Sequence, residues 1–466
     1  MNIYMLGIGG IGMSALARFF NMRGDHVAGY DRTPSQLTRQ LEAEGIAVHY
    51  DDNPEKIPHK VDLVVYTPAV PSSNLEFEAI KKRGIELKKR SQVLGVLTQD
   101  KRCIAVAGSH GKTTTSSMIA HLLHHSGVGC SAFLGGISKN IDSNLLVNNN
   151  SPWVVVEADE YDRSFLQLHP HFAVITATDP DHLDIYGTHR NMLEAYAQFA
   201  NQTVDEGHLW IKRGAFIVDG KPFISDSKTD SSTDVLNFVQ ASHSSYSMLD
   251  TADDCHAENI RAQKGALVFN LVTPQCIIKN IEMHSAPMVN VENAVVAASV
   301  ALACGLTPEQ VRNGLETFAG VKRRFDCRFR STDVVYIDDY AHHPNEIESL
   351  IGSVRTLFPD RKVTGVFQPH LYSRTRDFAQ QFAAALSRLD TLVLMPIYPA
   401  RELPISGVSS EALLDMVSLS DKHLCTPDEV LQYIDHNRPD VLLTIGAGDI
   451  DRLVPHIEQL VKGGQG

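Results

Sequence analysis

The sequence predicts an α/β protein of three domains: an N-terminal Rossmann-like domain, a central α/β domain of the P-loop ATPase type, and a C-terminal Rossmann-like domain. Short apolar runs alternate with helical patterns along most of the chain, which is typical of parallel sheets covered by helices. Glycine-rich loops follow two of these runs. The 466 residues also exceed what one hydrophobic core holds, so about three domains are expected, with two as the alternative.

The first domain is expected to span residues 1–98 and to form a small parallel sheet. Its predicted strands are at 3–6, 27–29 and 63–66, with predicted helices at 14–23 and 35–44. The first strand is followed by Gly-Ile-Gly-Gly-Ile-Gly at 7–12, and Asp31 follows the second strand. This pattern is typical of NAD-dependent oxidoreductases. Its glycines, however, only let a backbone approach a pyrophosphate at a helix N-terminus, so a UDP-sugar fits equally well.

A second glycine-rich loop, AVAGSHGKTTT at 105–115, lies between a predicted strand and a predicted helix and indicates ATP binding. Its backbone N–H groups converge on a phosphate, Lys112 reaches the β- and γ-phosphates, and the Thr113 hydroxyl suits Mg²⁺. The spacing departs from the standard loop, because Val106 stands where the first glycine is required and Gly108 comes three residues before Gly111. We expect Lys112 to be an exposed loop lysine. The ATP loop also argues against an NAD-dependent oxidoreductase, because that interpretation leaves the ATP loop unexplained.

The central domain is expected to span 99–321 and to contain a β-rich excursion at 216–289. Further strands are predicted at 153–156 and 172–176, and the polar stretch 225–233 is predicted to be a loop. Glu157 begins the acidic run Glu-Ala-Asp-Glu after the first of these strands, a position that suits Mg²⁺. His182 follows the second strand and is a candidate for a second cation or for phosphate. The alternatives are a merely polar strand exit and a structural histidine.

The third domain is expected to span 322–466, with polar loops at the carboxyl ends of several strands. Strands are predicted at 334–337, 363–367, 391–395 and 441–445. The loops DDYAHHP, FQPHLYSRT and GAGD follow the first, second and fourth of these strands. If the domains close over ATP, these loops can face the phosphate loop.

Composition excludes several classes of protein. The net charge of −13 argues against a nucleic-acid surface, and seven scattered cysteines without a C-x-x-C pair argue against a disulfide framework or a zinc site. The first residues resemble no signal peptide, and no apolar run is long enough for a transmembrane helix. We expect a cytoplasmic protein that inserts into no membrane and binds no nucleic acid.

Nine motifs together resemble those of the Mur ligase family, the ATP-dependent amide-forming enzymes of peptidoglycan precursor synthesis, over essentially the whole chain. They are GIGGIGMSALA, GSHGKTTT, VEADEYDRSF, DHLDIYG, NVENAVVA, GVKRRF, DDYAHHPNEI, FQPHLYSRT and GAGDI. The resemblance is strongest to the members that add L-alanine to UDP-N-acetylmuramate. It implies ATP and Mg²⁺ as cofactors, an acyl phosphate intermediate, and small-molecule substrates only. A monomer or a homodimer is expected.

The resemblance also implies a role for individual residues. The residues assigned to ATP are Gly108, Ser109, His110, Gly111, Lys112, Thr113, Thr114, Asn290, Asn293, Arg324 and Asp339. Those assigned to the UDP-sugar are Gly7, Gly9, Gly10, Ile11, Gly12, Asp31 and Thr67. Tyr340, His342 and Arg374 are assigned to the amino acid, and Thr113, Glu157 and His182 to the metal. The residues expected to be catalytic are Lys112, His342 and Arg374.

Two departures from the family pattern bear on these assignments. Leu371 stands where the alanine-adding members often have a basic residue, so the carboxylate of the amino acid rests more on Arg374. No lysine occurs between Lys139 and Lys212, whereas other members bind metal through a carbamoylated lysine in this region; a histidine serves in the alanine-adding subgroup. Two alternatives remain: a ligase that attaches recycled murein tripeptide to the same UDP-sugar, and a nucleotide-driven switch, which the absence of an N-K-x-D motif disfavours.

Overall fold

The computed structural model describes residues 1–204, 207–218, 221–222, 242–263, 265–284, 286–400 and 402–463. Contacts divide the chain into two compact units. The first unit comprises 1–259, 269–281 and 292–319, and the second comprises 260–268, 282–291 and 320–466. Parallel sheets with helices form the framework of both units. The α/β prediction is confirmed.

The N-terminal sheet has five parallel strands in the order β3-β2-β1-β4-β5. The strands are β1 (Asn2–Leu6), β2 (His26–Tyr30), β3 (Ala47–His49), β4 (Leu63–Tyr66) and β5 (Leu87–Lys89). The helices are α1 (Ile11–Met22), α2 (Gln36–Ala43), α3 (Leu75–Lys82) and α4 (Arg90–Thr98), and a 3₁₀ turn covers Pro54–Lys56. The strand order reverses between β1 and β4, which places a crevice beyond the carboxyl end of β1.

Helix α1 begins at Ile11, three residues before the predicted start, because Gly10 has an extended backbone and serves as the N-cap. The last glycine of the glycine-rich loop, Gly12, is therefore part of the first helical turn. Helix α1 also belongs to a hydrophobic core that includes residues of the central sheet. Its Phe19 ring lies 5.5 Å from that of Phe133 on the central sheet. This shared core explains why the first two sheets form one compact unit.

The central sheet has seven strands in the order β14-β11-β10-β6-β9-β7-β8. Its strands are β6 (Arg102–Ala107), β7 (Ser131–Ser138), β8 (Ser143–Leu146), β9 (Trp153–Glu157), β10 (Phe172–Ile175), β11 (His208–Lys212) and β14 (Ser242–Tyr246). The helices are α5 (Lys112–His125), α6 (Leu183–Tyr186), α7 (His189–Asn201), α8 (Val289–Ala303) and α9 (Pro308–Thr317), with a 3₁₀ segment at Tyr161–Gln167. Strand β6 lies between β9 and β10 and is parallel to both, so the loops after these three strands share one edge.

The β-rich character predicted for 216–289 is confirmed for the residues that the structure describes, although 260–268 and 282–289 belong to the second compact unit. Besides β14, which extends the central sheet beside β11, it contains β12 (Ile217–Val218), β13 (Lys221–Pro222), β15 (His256–Gln263), β16 (Ala266–Val272) and β17 (Ile277–His284). Strands β12 and β13 pair with each other, and β15, β16 and β17 form a three-stranded sheet. The loop predicted at 225–233 lies outside the described residues.

The C-terminal sheet has six strands in the order β18-β19-β23-β20-β21-β22. The strands are β18 (Asp326–Arg330), β19 (Val335–Asp339), β20 (Val363–Phe367), β21 (Thr391–Leu394), β22 (Lys422–Leu424) and β23 (Val441–Ile445). The helices are α10 (Pro344–Leu357), α11 (Tyr372–Asp377), α12 (Ala379–Leu386), α13 (Ser410–Met416), α14 (Pro427–Asn437) and α15 (Val454–Gly463), with a 3₁₀ turn at Asp449–Arg452. Strands β19, β23 and β20 are adjacent and parallel, so their three polar loops share one edge, as predicted.

Across the ranges that the structure describes, no helix is both long and apolar enough to span a bilayer.

Candidate active site

The second glycine-rich loop joins β6 to α5 and depends on two glycines with positive φ. Gly108 has a φ of +141°, and a Cβ there would lie 2.1 Å from Thr176 Oγ1. Gly111 has a φ of +83° and is the N-cap of α5. The Thr176 hydroxyl contacts the carbonyl oxygens of Ala107 and His110, which ties the loop to the end of β10. The loop therefore presents the N-terminus of a 14-residue helix, the arrangement that binds phosphate.

Lys112 is held against a buried carboxylate. Its ammonium lies 2.8 Å from both carboxylate oxygens of Glu160. The Glu160 side chain is 1% exposed and that of Lys112 is 14% exposed. Burial acts to lower the pKa of Lys112, but the neighbouring carboxylates, with Glu160 foremost, together outweigh burial and raise it. The expectation of an exposed lysine is wrong, because the strand exit after β9 covers the side chain with an acid.

Three further groups converge next to this lysine. Ligand atoms of Glu160, Asp181 and His182 all lie within 4.8 Å of one another. His182 Nε2 is 3.8 Å from Glu160 Oε1 and 3.7 Å from Asp181 Oδ2. His182 has a φ of +50° and is the N-cap residue of α6. Two carboxylates and one imidazole fit a divalent cation such as Mg²⁺ or Mn²⁺.

The sequence-assigned metal residues occupy different places around this cluster. His182 belongs to it, and Thr113 lies in the first turn of α5, 8% exposed. Glu157 instead packs against Gly135, whose N–H donates to Glu157 Oε2 at 3.1 Å. No metal role for Glu160 or Asp181 was expected from the sequence. Their signals were present, since Glu160 ends the acidic run that begins at Glu157 and Asp181 precedes His182.

Helix α8 brings an asparagine to the phosphate loop. Asn293 Oδ1 accepts a hydrogen bond from Thr115 Oγ1 at 3.2 Å and would lie 3.1 Å from a Cβ on Gly111. Asn290 lies one turn earlier on the same helix and is 9% exposed. Of the two asparagines assigned to ATP, Asn293 therefore contacts the helix that follows the loop.

The first glycine-rich loop donates a backbone hydrogen bond to Asp31. Asp31 accepts hydrogen bonds from the Gly9 N–H at 2.8 Å and the Thr33 N–H at 3.2 Å. Gly7 has a φ of +80°, and a Cβ there would lie 2.5 Å from the Thr67 methyl carbon. In a dinucleotide site the corresponding acid is directed to ribose hydroxyls. Here one oxygen of Asp31 accepts from the glycine-rich loop and the other from the backbone of Thr33, so both are already engaged, which disfavours the NAD interpretation.

A cavity of 230 Å³ connects this loop with the carboxyl end of β9. Its walls come from the start of α1, the first residues of α4, strand β7 and the acidic strand exit. The lining residues include Gly10, Ile11, Gly12, Met13, Thr67, Arg90, Gly135, Glu157, Asp159, Tyr161 and Ser164. The cavity thus runs from the first glycine-rich loop to the acids that follow β9.

In the second unit, Asp339 is the last residue of β19, and burial and a neighbouring cation have opposite effects on its pKa. Its carboxylate accepts hydrogen bonds from the Phe325 N–H at 2.6 Å and the Ala341 N–H at 2.7 Å. Burial raises the pKa of Asp339 to about 6, although the Arg324 guanidinium opposes the rise. The Arg324 guanidinium carbon also lies 5.3 Å from the centre of the Tyr340 ring. Arg324, Asp339 and Tyr340 therefore form one cluster.

Two histidines stand beside Arg374 at the same sheet edge. His370 Nδ1 is 3.4 Å from Arg374 Nη1, and the rings of His342 and His370 are 6.3 Å apart. Burial, with help from Arg374 and His342, lowers the pKa of His370 to about 4, and burial also lowers that of His342. Both rings are therefore neutral near pH 7. His342 and Arg374 were expected at the site from the sequence, whereas His370 was not, although it lies in the FQPH motif.

Leu371 adopts a backbone conformation that is unusual for its side chain, with a φ of +72°. Its N–H donates to the Tyr398 carbonyl at 2.9 Å, and its carbonyl accepts from the Thr375 hydroxyl at 2.8 Å. Such strain is concentrated at functional sites. Arg374 follows one turn later and contacts no carboxylate among the described residues, so its guanidinium is available for an anion.

Three family models match successive parts of the chain. The model described as the Mur ligase family, catalytic domain, matches residues 2–102, and the Mur ligase middle domain matches 106–301. The Mur ligase, glutamate ligase domain, matches residues 323–448.

Curated relatives and solved structures cover the same length. The UDP-N-acetylmuramate–L-alanine ligases of Phocaeicola vulgatus and Parabacteroides distasonis are each 47% identical, over 98% of this chain and 97% of theirs. The crystal structure of UDP-N-acetylmuramate-alanine ligase from Thermotoga maritima matches with a TM-score of 0.83 and 25% identity, over 100% of both chains. A murein peptide ligase from Psychrobacter arcticus shares the fold, with a TM-score of 0.68 and 20% identity over 99% of this chain and 98% of that one. This chain belongs to the Mur ligase family.

Proposed function

We propose that this protein is an ATP-dependent ligase that joins L-alanine to the lactyl carboxylate of UDP-N-acetylmuramate, in peptidoglycan precursor synthesis. The observation that carries the proposal is 47% identity, over 98% of this chain, to curated proteins with that activity in their names. The buried Lys112–Glu160 pair at the phosphate loop supports it, because phosphoryl transfer requires a cation at that position. A cytoplasmic location accords with these substrates.

The chemistry follows from the poor reactivity of a carboxylate. An oxygen of the lactyl carboxylate attacks the γ-phosphorus of ATP, the bond to the β–γ bridging oxygen breaks, and ADP leaves. The neutral amine of alanine then attacks the acyl carbon, inorganic phosphate leaves, and the amine proton is lost as the amide forms. Lys112 would neutralise charge on the transferring phosphoryl group. Because an acyl phosphate is hydrolysed by water, the reaction needs a site that excludes water.

Mg²⁺ would be held by Thr113, Glu157 and His182, as the family resemblance assigns, with Glu160 and Asp181 as further ligands. The bound ion would supply positive charge to the phosphates. We expect His182→Ala to raise the Mg²⁺ concentration needed for half-maximal activity while UDP-sugar binding survives. His169→Ala is the control, since His169 is exposed and outside the cluster. An unchanged Mg²⁺ requirement in the His182 variant would remove this residue from the metal site.

The remaining assignments extend the proposal to the other substrates. Asn290, Asn293, Arg324 and Asp339 are proposed for ATP, and Tyr340, His342 and Arg374 for alanine. The domain boundaries that accompany these roles are 1–98 for the UDP-sugar, 99–321 for ATP and 322–466 for the amino acid.

The test is a measurement of phosphate release with each substrate omitted in turn. We expect release that requires ATP, UDP-N-acetylmuramate and free L-alanine together, with the joined product detected by mass. Substitution of murein tripeptide for alanine should give no release above background. Release with the tripeptide but not with alanine would overturn the proposal in favour of the tripeptide ligase, and release without any UDP-sugar would overturn both.

A further inference from the structure

Helix α4 places an arginine between the first glycine-rich loop and the acidic residues that follow β9. Arg90 is the first residue of α4, and its Nη2 donates to Asp159 Oδ2 at 3.0 Å. Its guanidinium also packs against the start of α1, because a Cβ on Gly12 would lie only 2.8 Å from Arg90 Nη1. One side chain therefore contacts the first glycine-rich loop and the acidic exit of β9.

The charges that line the 230 Å³ cavity make this arginine distinctive. The N-terminus of α1 favours an anion, whereas Glu157 and Asp159, which also line the cavity, repel one. Among the described residues that line the cavity, Arg90 is the single cation. A diphosphate that enters beside α1 thus meets two carboxylates, and Arg90 is the group placed to offset them.

Most hydrogen-bond donors of the Arg90 guanidinium are not used by described residues of the protein. Arginine carries five N–H donors in a planar fork, which suits the oxygens of a diphosphate. Of these, only Nη2 makes a hydrogen bond to a described residue, and that bond goes to Asp159. The nitrogens Nε and Nη1 remain for another anion, and Nη1 is the one that faces Gly12.

We propose that Arg90 binds the diphosphate of the nucleotide sugar and that Asp159 is a positioning residue that holds Arg90 over the start of α1. This inference rests on the proposed function and deepens it. According to this proposal, different acids of the run that begins at Glu157 serve the two nucleotide sites. Glu160 holds Lys112 at the ATP loop, and Asp159 holds Arg90 at the UDP-sugar loop.

The first test measures binding of UDP and of uridine by calorimetry to the parent, Arg90→Gln and Lys89→Gln. Lys89 is the matched control, because it precedes Arg90, pairs with Asp162 at 2.5 Å and does not line the cavity. In Arg90→Gln, affinity for UDP should fall about 10- to 100-fold, since charge-assisted hydrogen bonds are lost, while uridine and ATP bind as in the parent. In Lys89→Gln, all three affinities should stay within about twofold of the parent. UDP affinity in Arg90→Gln within twofold of the parent would overturn the proposal.

The second test uses the sign of the effect at Asp159 and remains informative if Arg90→Gln does not fold. If Asp159 acted only through its charge, Asp159→Asn would tighten UDP binding by removing repulsion. If Asp159 positions Arg90, the same variant should weaken UDP binding, by roughly threefold or more, and leave uridine unaffected. Unchanged or tighter UDP binding would overturn the positioning role. A parent that ligates alanine while both variants bind UDP normally refutes this inference alone, whereas a parent with no UDP affinity refutes the proposed function itself.

Discussion

Among single residues, two cations of the first unit are each paired with an acid that follows β9. Lys112 is paired with Glu160 at 2.8 Å, and Arg90 with Asp159 at 3.0 Å. The first pair is nearly buried, so removal of one partner leaves a charge without water or a counterion. The Arg90–Asp159 pair is partly exposed, so we expect it to contribute little to the free energy of unfolding and to act mainly by orienting Arg90.

Lys112→Ala should therefore lose stability as well as activity. We expect the free energy of unfolding to fall by about 3 kcal/mol, because Glu160 remains as an uncompensated buried carboxylate. Phosphate release should fall by roughly a hundredfold or more. Urea unfolding and the phosphate assay measure the two effects separately.

The double variant Lys112→Met/Glu160→Gln separates the two roles of the pair. It should recover most of the lost stability, since neutral groups of similar volume replace a buried ion pair, yet stay inactive. Near-parental turnover in either variant would contradict the assignment of Lys112 to the phosphates.

Arg374→Lys should weaken the use of alanine far more than that of ATP or the UDP-sugar. A guanidinium holds a carboxylate through two parallel hydrogen bonds, which an ammonium cannot do, and Leu371 offers no cation in compensation. We expect the KM for alanine to rise by roughly tenfold in steady-state kinetics. Arg376→Lys is the control, because Arg376 lies on the same helix and pairs with Asp377. An unaltered alanine KM in Arg374→Lys would place the amino-acid site elsewhere.

At the scale of elements, the phosphate loop is defined by how closely β10 approaches it. A Cβ at Gly108 would collide with Thr176 Oγ1 at 2.1 Å and with the Ala177 nitrogen at 2.8 Å. Gly127, after the C-terminus of the same helix α5, has a φ of +85° but nothing within 4 Å of its Cβ position. A substitution at Gly108 therefore tests steric collision, whereas a substitution at Gly127 tests backbone strain alone.

Gly108→Ala should raise the KM for ATP strongly, because the loop must move away from β10 to admit the methyl group. Gly127→Ala should cost only the strain of a left-handed residue, about 1–2 kcal/mol of stability, with ATP use intact. Nucleotide titration and thermal unfolding of both variants provide the comparison. Equal ATP constants in Gly108→Ala and the parent would show that the loop tolerates displacement.

A buried polar cluster links three elements of the N-terminal sheet. The Tyr4 hydroxyl on β1 lies 2.7 Å from His49 Nε2 on β3 and 2.5 Å from Glu76 Oε2 on α3. Burial raises the pKa of Glu76 to about 7, against the lowering effect of the Tyr4 hydrogen bond. Burial also lowers the pKa of His49. The cluster thus contains a carboxyl group that resists ionisation.

Stability should consequently fall as pH rises from about 4.5 to 7 through Glu76, because the folded protein holds this proton more tightly than the unfolded chain. His49 has the opposite sign, since its lowered pKa makes stability rise with pH up to about 6.5. Glu76→Gln should therefore gain stability relative to the parent across this window. Glu78→Gln is the control, because Glu78 is exposed on the same helix. The free energy of unfolding of this variant in urea should follow the same pH dependence as that of the parent. A parallel pH profile for Glu76→Gln and the parent would contradict the raised pKa.

At the scale of the whole molecule, a glycine-rich fingerprint does not define its ligand. Residues 7–12 match the dinucleotide pattern, yet Asp31 is engaged by the loop itself through the Gly9 N–H. We expect calorimetric titration to show binding of UDP-N-acetylmuramate and none of NAD at the same concentration. ADP serves as the control for binding at the second loop. Tight NAD binding that competes with the UDP-sugar would restore the oxidoreductase interpretation.

Local periodicity and glycines at fixed spacing were enough to predict the α/β class, many of the strands, the two glycine-rich loops and the family. The polar loops after β19, β20 and β23 were also predictable, since parallel strands end at one edge. Which acid pairs with which cation, by contrast, was visible only in the folded protein. Glu160 reaches Lys112, Asp159 reaches Arg90, and Glu157 packs on Gly135, although all three belong to one run of four residues. The direction of each side chain in an irregular strand exit depends on long-range packing, which neither hydrophobic period nor residue spacing encodes.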